Sequence, residues 1–161
     1  MSDRPLKAAQ GGFTLVEVMV VVLVIGILIG IGLPMFLGAR VRAEERRTQA
    51  ELQTGLTAGL TYWTEGGTFT GLDLNCSAVP DECTIADMEE SSVAWVGPGA
   101  PSGSQVSIVF AAGNNVLLVA RSTTGDYFCV AQETGHSDRG RGSTFEDVDS
   151  LVKCAGGWAA P

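Results

Sequence analysis

The sequence predicts an α+β protein: one long N-terminal helix, apolar all round in its front half, whose rear half packs against a small antiparallel sheet. Three observations predict it. Val18 to Leu37 is an unbroken run of twenty residues with no charged or strongly polar side chain. Residues 38–65 continue in good helix formers, with Leu52, Leu56, Leu60 and Trp63 at helical spacing. From residue 66 onward, short β-rich runs alternate with Gly- and Asn-containing turns.

Composition narrows the function classes. The 161 residues carry ten Lys and Arg against eighteen Asp and Glu, a net charge of −8. No basic residue lies between Arg47 and Arg121, a stretch with eight acids. Direct nucleic-acid binding, which needs clustered positive charge, is not expected of such a surface. A 45% hydrophobic content excludes a disordered chain, and 21 glycines without a three-residue period exclude collagen.

The front run is long enough to cross a hydrocarbon core of about 30 Å as a helix. Arg4 and Lys7 in the polar leader favour a cytoplasmic amino end. A cleaved secretory signal has a shorter apolar core followed by a small-residue cleavage site; here the run leads into GARVRAEERR. A plain signal anchor fits the hydropathy but explains neither Gly11-Gly12 nor Glu17.

The sequence Gly11-Gly12-Phe13-Thr14-Leu15-Val16-Glu17, in register with the apolar run, resembles the processing site of type IV pilins and pseudopilins. The likeness is close from Gly12 to about Arg47; beyond that it rests on general layout. It implies cleavage by a prepilin peptidase between Gly12 and Phe13 and methylation of the new Phe13 amine. The organisation expected is a leader (1–12), a transmembrane and assembly helix (13–37), the amphipathic rear half of that helix (38–65) and a β-rich head (66–161).

A carboxylate in a bilayer costs about 2.5–3.5 kcal/mol on insertion scales, so Glu17 needs a partner. No basic residue occurs between Lys7 and Arg40. In the family, this glutamate is thought to meet the amine of an adjacent subunit, here that of Phe13, and so to set assembly register. Gly26 and Gly30 form a small-xxx-small pattern suited to close helix approach. Pro34 removes a backbone bond, so Gly26–Pro34 is expected to be a weak, kinked section, as the resemblance also implies. The helix should reach Gly66-Gly67, with Arg40, Arg42, Glu44, Glu45, Arg46, Arg47 and Glu51 on its charged face.

In the head, Ser91–Val96, Gln105–Phe110, Val116–Ser122 and Asp126–Gln132 read as strands of an antiparallel meander, with Val106, Ile108 and Phe110 on one face. Ser143 and Glu146 have capping-box spacing, predicting a short helix Phe145–Lys153. His136 falls in a polar loop and reads as solvated. Cys76, Cys83, Cys129 and Cys154 allow three pairings. Cys76–Cys83 with Cys129–Cys154 is favoured: the first closes a short acidic loop, and the second matches the disulfide-bounded C-terminal region of many pilins. Zinc is disfavoured by the single histidine and the lack of a C-x-x-C pair.

No Gly-x-Ser-x-Gly, phosphate loop or dinucleotide fingerprint occurs, so no enzymatic activity and no cofactor are expected. The acidic stretch Asp81–Glu90 reads as solvated surface, and the Asn75-Cys76-Ser77 sequon is discounted because Cys76 is expected to be bonded. Some pseudopilins bind calcium near the C terminus, which makes Asp147 and Asp149 the carboxylates to watch. The resemblance implies a structural subunit that enters the inner or cytoplasmic membrane with its head outside, then joins a cell-surface filament. Its partners would be other copies, minor pilins, the prepilin peptidase and methyltransferase, an assembly platform, and membrane lipid before assembly. A pseudopilin of a type II secretion system and a competence-filament subunit share the same front end; neighbouring genes would separate them.

Overall fold

A computed structural model of the chain describes residues 12–72, 92–155 and 157. Contacts divide the chain into two compact units, one up to Ala39 and one from Arg40 on. Among the described residues, helix α1, Leu15–Gly66, supplies the whole regular structure of the first unit and the first element of the second. In the first unit its apolar side chains stay outside: Leu23, Ile27, Leu33 and Phe36 are all more than half exposed. Pro34 lies inside the helix, and nothing comes within 4 Å of a Cβ placed at Gly26, Gly30 or Gly32. At the other end Gly67 takes φ 69° and donates to Trp63 O at 2.6 Å, the left-handed stop that Gly66-Gly67 predicted.

In the second unit the buried face of α1 is Glu45, Thr48, Leu52, Gly55, Leu56, Ala58 and Gly59. This differs from the expected Leu52–Leu56–Leu60–Trp63 stripe. Each four-residue step overshoots a full turn by about 40°, so Leu60 has swung to 37% exposure and Trp63 is half-buried. Small residues take the inner positions instead. A Cβ at Gly55 would lie 3.0 Å from Trp95 Cη2, so glycine lets the helix settle onto that indole. Threonine hydroxyls on this half are satisfied within the helix, as where buried Thr48 donates to Glu44 O at 3.1 Å.

The sheet comprises β1 Ala94–Val96, β2 Gln105–Ala112, β3 Asn115–Arg121, β4 Tyr127–Glu133 and β5 His136–Gly142, in the spatial order β1-β2-β3-β4-β5. Two expectations are corrected here. First, β1 pairs parallel to β2, so the sheet is mixed. A three-residue strand is only about 10 Å long, and the Gly- and Pro-rich segment 97–104 carries the chain back to its start. Second, His136 is not in a loop: HSDRGRG forms β5, antiparallel to β4 from Tyr127↔Gly142 to Glu133↔His136.

One sheet face, with Val106, Ile108, Leu118, Phe128 and Val130, forms a core with Leu52 and Leu56 of α1. The other carries Leu117, Val119, Cys129 and Ala131, covered by Val148, Cys154 and, in part, Phe145 and Leu151. The register of β2 slips between Ile108 and Phe110. That bulge turns Phe110 off the expected face and leaves it 41% exposed. The segment after β5 is also shorter in helix than predicted: only Phe145–Asp147 forms a 3-10 turn, with Thr144 rather than Ser143 as its cap.

Candidate functional site

The residues around the proposed cut are presented openly. Gly12, Phe13 and Thr14 precede the helix, and Phe13 is 83% exposed. Thr14 caps α1: its Oγ1 accepts from Glu17 N at 3.3 Å, and its carbonyl accepts from Glu17 N at 3.1 Å and Val18 N at 3.3 Å. Thr14-x-x-Glu17 thus has capping-box spacing, which the sequence reading missed although the signal was local. The cap holds the helix start two residues beyond Phe13, at Leu15, and leaves the Gly12–Phe13 bond in non-helical, exposed backbone, the state a peptidase needs. Glu17 lies in the first turn, where the helix dipole favours an acid.

Gly26, Gly30 and Pro34 all lie on α1 among exposed apolar side chains, and among the described residues a Cβ at either glycine would meet nothing within 4 Å. An 18-residue window of α1 reaches a mean hydropathy of 2.9 with none of it buried. The core helix of a soluble protein would be mostly covered. This one offers its surface to a partner outside the chain, lipid or protein, in keeping with a membrane anchor.

The charged stretch after Leu37 hides one inward group. Glu45 was expected on the solvated face but is 4% exposed. Its Oε1 accepts from Arg141 Nη2 at 3.0 Å, and the same nitrogen donates to Asp126 Oδ2 at 2.6 Å. Arg141 is on β5, 96 positions from Glu45, and its guanidinium also lies 5.5 Å from the Phe128 ring centroid. The Asp126 hydrogen bond, foremost, holds Arg141 above its ordinary pKa against the opposing cost of burial. Glu45 Oε2 is buried with no hydrogen-bond partner. One turn pair further along, Gln53 faces Arg139; with its amide oxygen toward the guanidinium it accepts from Nη2 at 2.9 Å and Nε at 3.3 Å. Two arginines of an edge strand thus fasten α1 to the sheet. No local signal marks Glu45 among its charged neighbours, because its partners are distant in sequence.

Cys129 of β4 and Cys154 are joined by a disulfide, with Cα atoms 5.9 Å apart. Gly140, opposite Cys129 on β5, makes room for it: a Cβ there would lie 2.8 Å from Cys129 Sγ and 3.0 Å from Cys154 O. Cys76, Cys83, the acidic stretch and the sequon lie outside the described residues. Asp147 and Asp149 are engaged elsewhere than in a shared site. Asp147 Oδ2 accepts from Thr144 N at 2.9 Å and from Ser143 Oγ at 3.3 Å, which hold its carboxyl below its usual value. Asp149 pairs with Lys153 at 2.7 Å. Among the described residues no three His, Cys, Asp or Glu side chains are grouped to hold a metal ion.

The architecture, a long apolar N-terminal helix followed by a small five-stranded mixed sheet, is an α+β pilin-like arrangement. No curated protein and no solved structure matches the chain significantly. Residues 7–33, which hold the open Gly12–Phe13 bond, the Thr14 cap, Glu17 and the unburied helix, match the family model of the prokaryotic N-terminal methylation motif, so the chain carries the class III signal peptide of type IV pilins.

Proposed function

We propose that the chain is a structural subunit of a type IV pilus-like filament. It is inserted with its amino end in the cytoplasm and its head outside the inner membrane, trimmed after Gly12, methylated on Phe13, and drawn into a helical stack of copies. Residues 1–12 act as leader, 13–37 as membrane and then filament core, 38–65 as the half of the helix bound to the head. The observation that carries this reading is the wholly unburied apolar window of α1, the helix that the methylation motif at residues 7–33 enters. Such a surface is stable in lipid before assembly and against other copies after it. Glu17 then takes the Phe13 amine of a neighbour as its partner, so a misregistered neighbour leaves two charges unpaired in an apolar core. Nothing in this role needs a catalytic group or a cofactor.

The test is intact-mass analysis of surface material sheared from cells. The expected species begins at Phe13 and carries one methyl group. Recovery of assembled chains that still begin at Met1 would overturn the reading.

A further inference from the structure

Near the end of α1 the molecule has a cleft of about 290 Å³. Leu60, Trp63 and Phe69 form its apolar floor, and its rim comes from Asn114 in the β2–β3 turn and from residues 132–135 at the end of β4 and the turn beyond. The indole is held in place: Trp63 Nε1 donates to Asn114 Oδ1 at 3.4 Å, and its ring tilts 34° against Phe69 with centroids 6.5 Å apart.

The rim has polar capacity to spare. Asn114 spends its oxygen on Trp63, which leaves its Nδ2 donor. Gln132 spends Nε2 on the carbonyls of Glu133 and His136, at 3.0 and 3.2 Å, which leaves its Oε1 acceptor. Thr134 adds an exposed hydroxyl. Among the described residues no Lys or Arg lines the cleft, so those that do line it do not favour an anion. The one carboxylate, Glu133, already faces His136 Nε2 at 3.4 Å.

We propose that this cleft binds a neutral sugar ring. The C–H face of a pyranose is apolar and flat enough to lie on a fixed indole, while its hydroxyls each donate and accept. Amide and hydroxyl side chains on the rim match that alternation, with neither charge neutralisation nor a metal required. The volume is at the low end of ligand sites, so it fits one ring and excludes an oligosaccharide held along its length. A cation would use the indole and Glu133, but would leave the three neutral rim groups without a role.

Saturation-transfer NMR on the full chain, in a detergent without a sugar or amine headgroup, tests this with glucose, galactose, N-acetylglucosamine and, as a cation, choline. Assembly is not required. Transfer to the ring C–H protons of at least one neutral sugar at millimolar concentration is expected. Asn114→Ala and Thr134→Ala, both at exposed turn positions, should each weaken binding about 5-fold, the equivalent of one hydrogen bond. Trp63→Leu should abolish transfer, with circular dichroism confirming the fold. No transfer from any of the three sugars, equal transfer in the Asn114→Ala chain, or stronger transfer to choline would overturn the proposal.

Discussion

Arg141→Met is the most informative single change in the head. The methionine keeps an unbranched apolar side chain but removes the guanidinium, the only group among the described residues that bonds to the Glu45 side chain. What remains is a carboxylate 4% exposed whose second oxygen already lacks a partner. Breaking one side of a fully buried pair costs about 3–5 kcal/mol. The Arg141 side chain is 28% exposed, so water gains partial access once it is shortened, and the cost should fall to about 2–3 kcal/mol. Asp126 adds little, because at 29% exposure it can rehydrate. For a unit of this size that is a fall in Tm of roughly 10 °C. Replacing both partners, Glu45→Leu with Arg141→Met, removes the stranded charge and should recover about 2 kcal/mol of the loss. Glu45→Gln should cost about 1 kcal/mol, since the amide oxygen still accepts from Arg141. The assay is thermal unfolding of the detergent-solubilised chain followed by near-UV circular dichroism. A loss below about 0.5 kcal/mol for Arg141→Met, or no recovery in the double variant, would refute the claim that Glu45 is a buried charge dependent on Arg141.

Gly59→Ala should stabilise the head by about 0.5–1 kcal/mol, because its new methyl lies at ordinary contact distance, 3.6 Å from Leu72 and 3.7 Å from Phe69; Gly55→Ala should gain nothing or lose stability, because Trp95 is at 3.0 Å, and paired urea titrations read both. Removing the Cys129–Cys154 link by a double Ala substitution opens a closure of 25 residues and should cost about 3 kcal/mol, while peptide mapping without reduction should recover that link and a Cys76–Cys83 peptide. The Asp147 carboxyl is held down chiefly by the Thr144 N–H, so its contribution is present above the ordinary carboxylate value of 3.8 and is lost as pH falls below it; Asp147→Asn should lower stability at neutral pH, change it least at acid pH, and so flatten the acid limb of a stability-versus-pH curve. Glu17→Ala should leave head folding and membrane insertion intact and sharply lower the surface filament yield relative to the membrane pool, by blotting of both fractions; a normal yield would reduce Glu17 to a first-turn acid.

What could be read from the sequence was what its neighbours in the chain determine. The Gly12–Glu17 junction, the apolar run, the glycine stop after Gly66 and four of the five strands rest on local pattern. Three features rest on distant contacts and were missed for that reason. HSDRGRG contains no strong β former, yet it is a strand because β4 pairs along its whole length and Gly140 admits the disulfide. Glu45 is one of seven charges within twelve residues, and only Arg141, 96 positions on, distinguishes it. The bulge at Val109 reverses which side Phe110 faces, and the alternation in the sequence holds no trace of an extra residue.

Glu17 and Glu45 show how one helix divides between two environments. Both are carboxylates on α1 that local hydropathy or charge pattern explains poorly, and each needs a counter-charge to be stable out of water. Glu45 finds it within the chain, from an arginine on an edge strand that has no other element beside it in the sheet order. Among the described residues Glu17 has only the Thr14 cap, and the first basic side chain on the helix is Arg40. The glycines follow the same division. Gly55 and Gly59 face Trp95, Leu118, Phe69 and Leu72, whereas Gly26, Gly30 and Gly32 face nothing. In the rear half Gly55, Gly59 and Glu45 meet their counterparts in the head. In the front half the same devices lack counterparts among the described residues, and on the proposed reading an apolar surface with an acid at its start is what a second copy, carrying a free amine at Phe13, would complete.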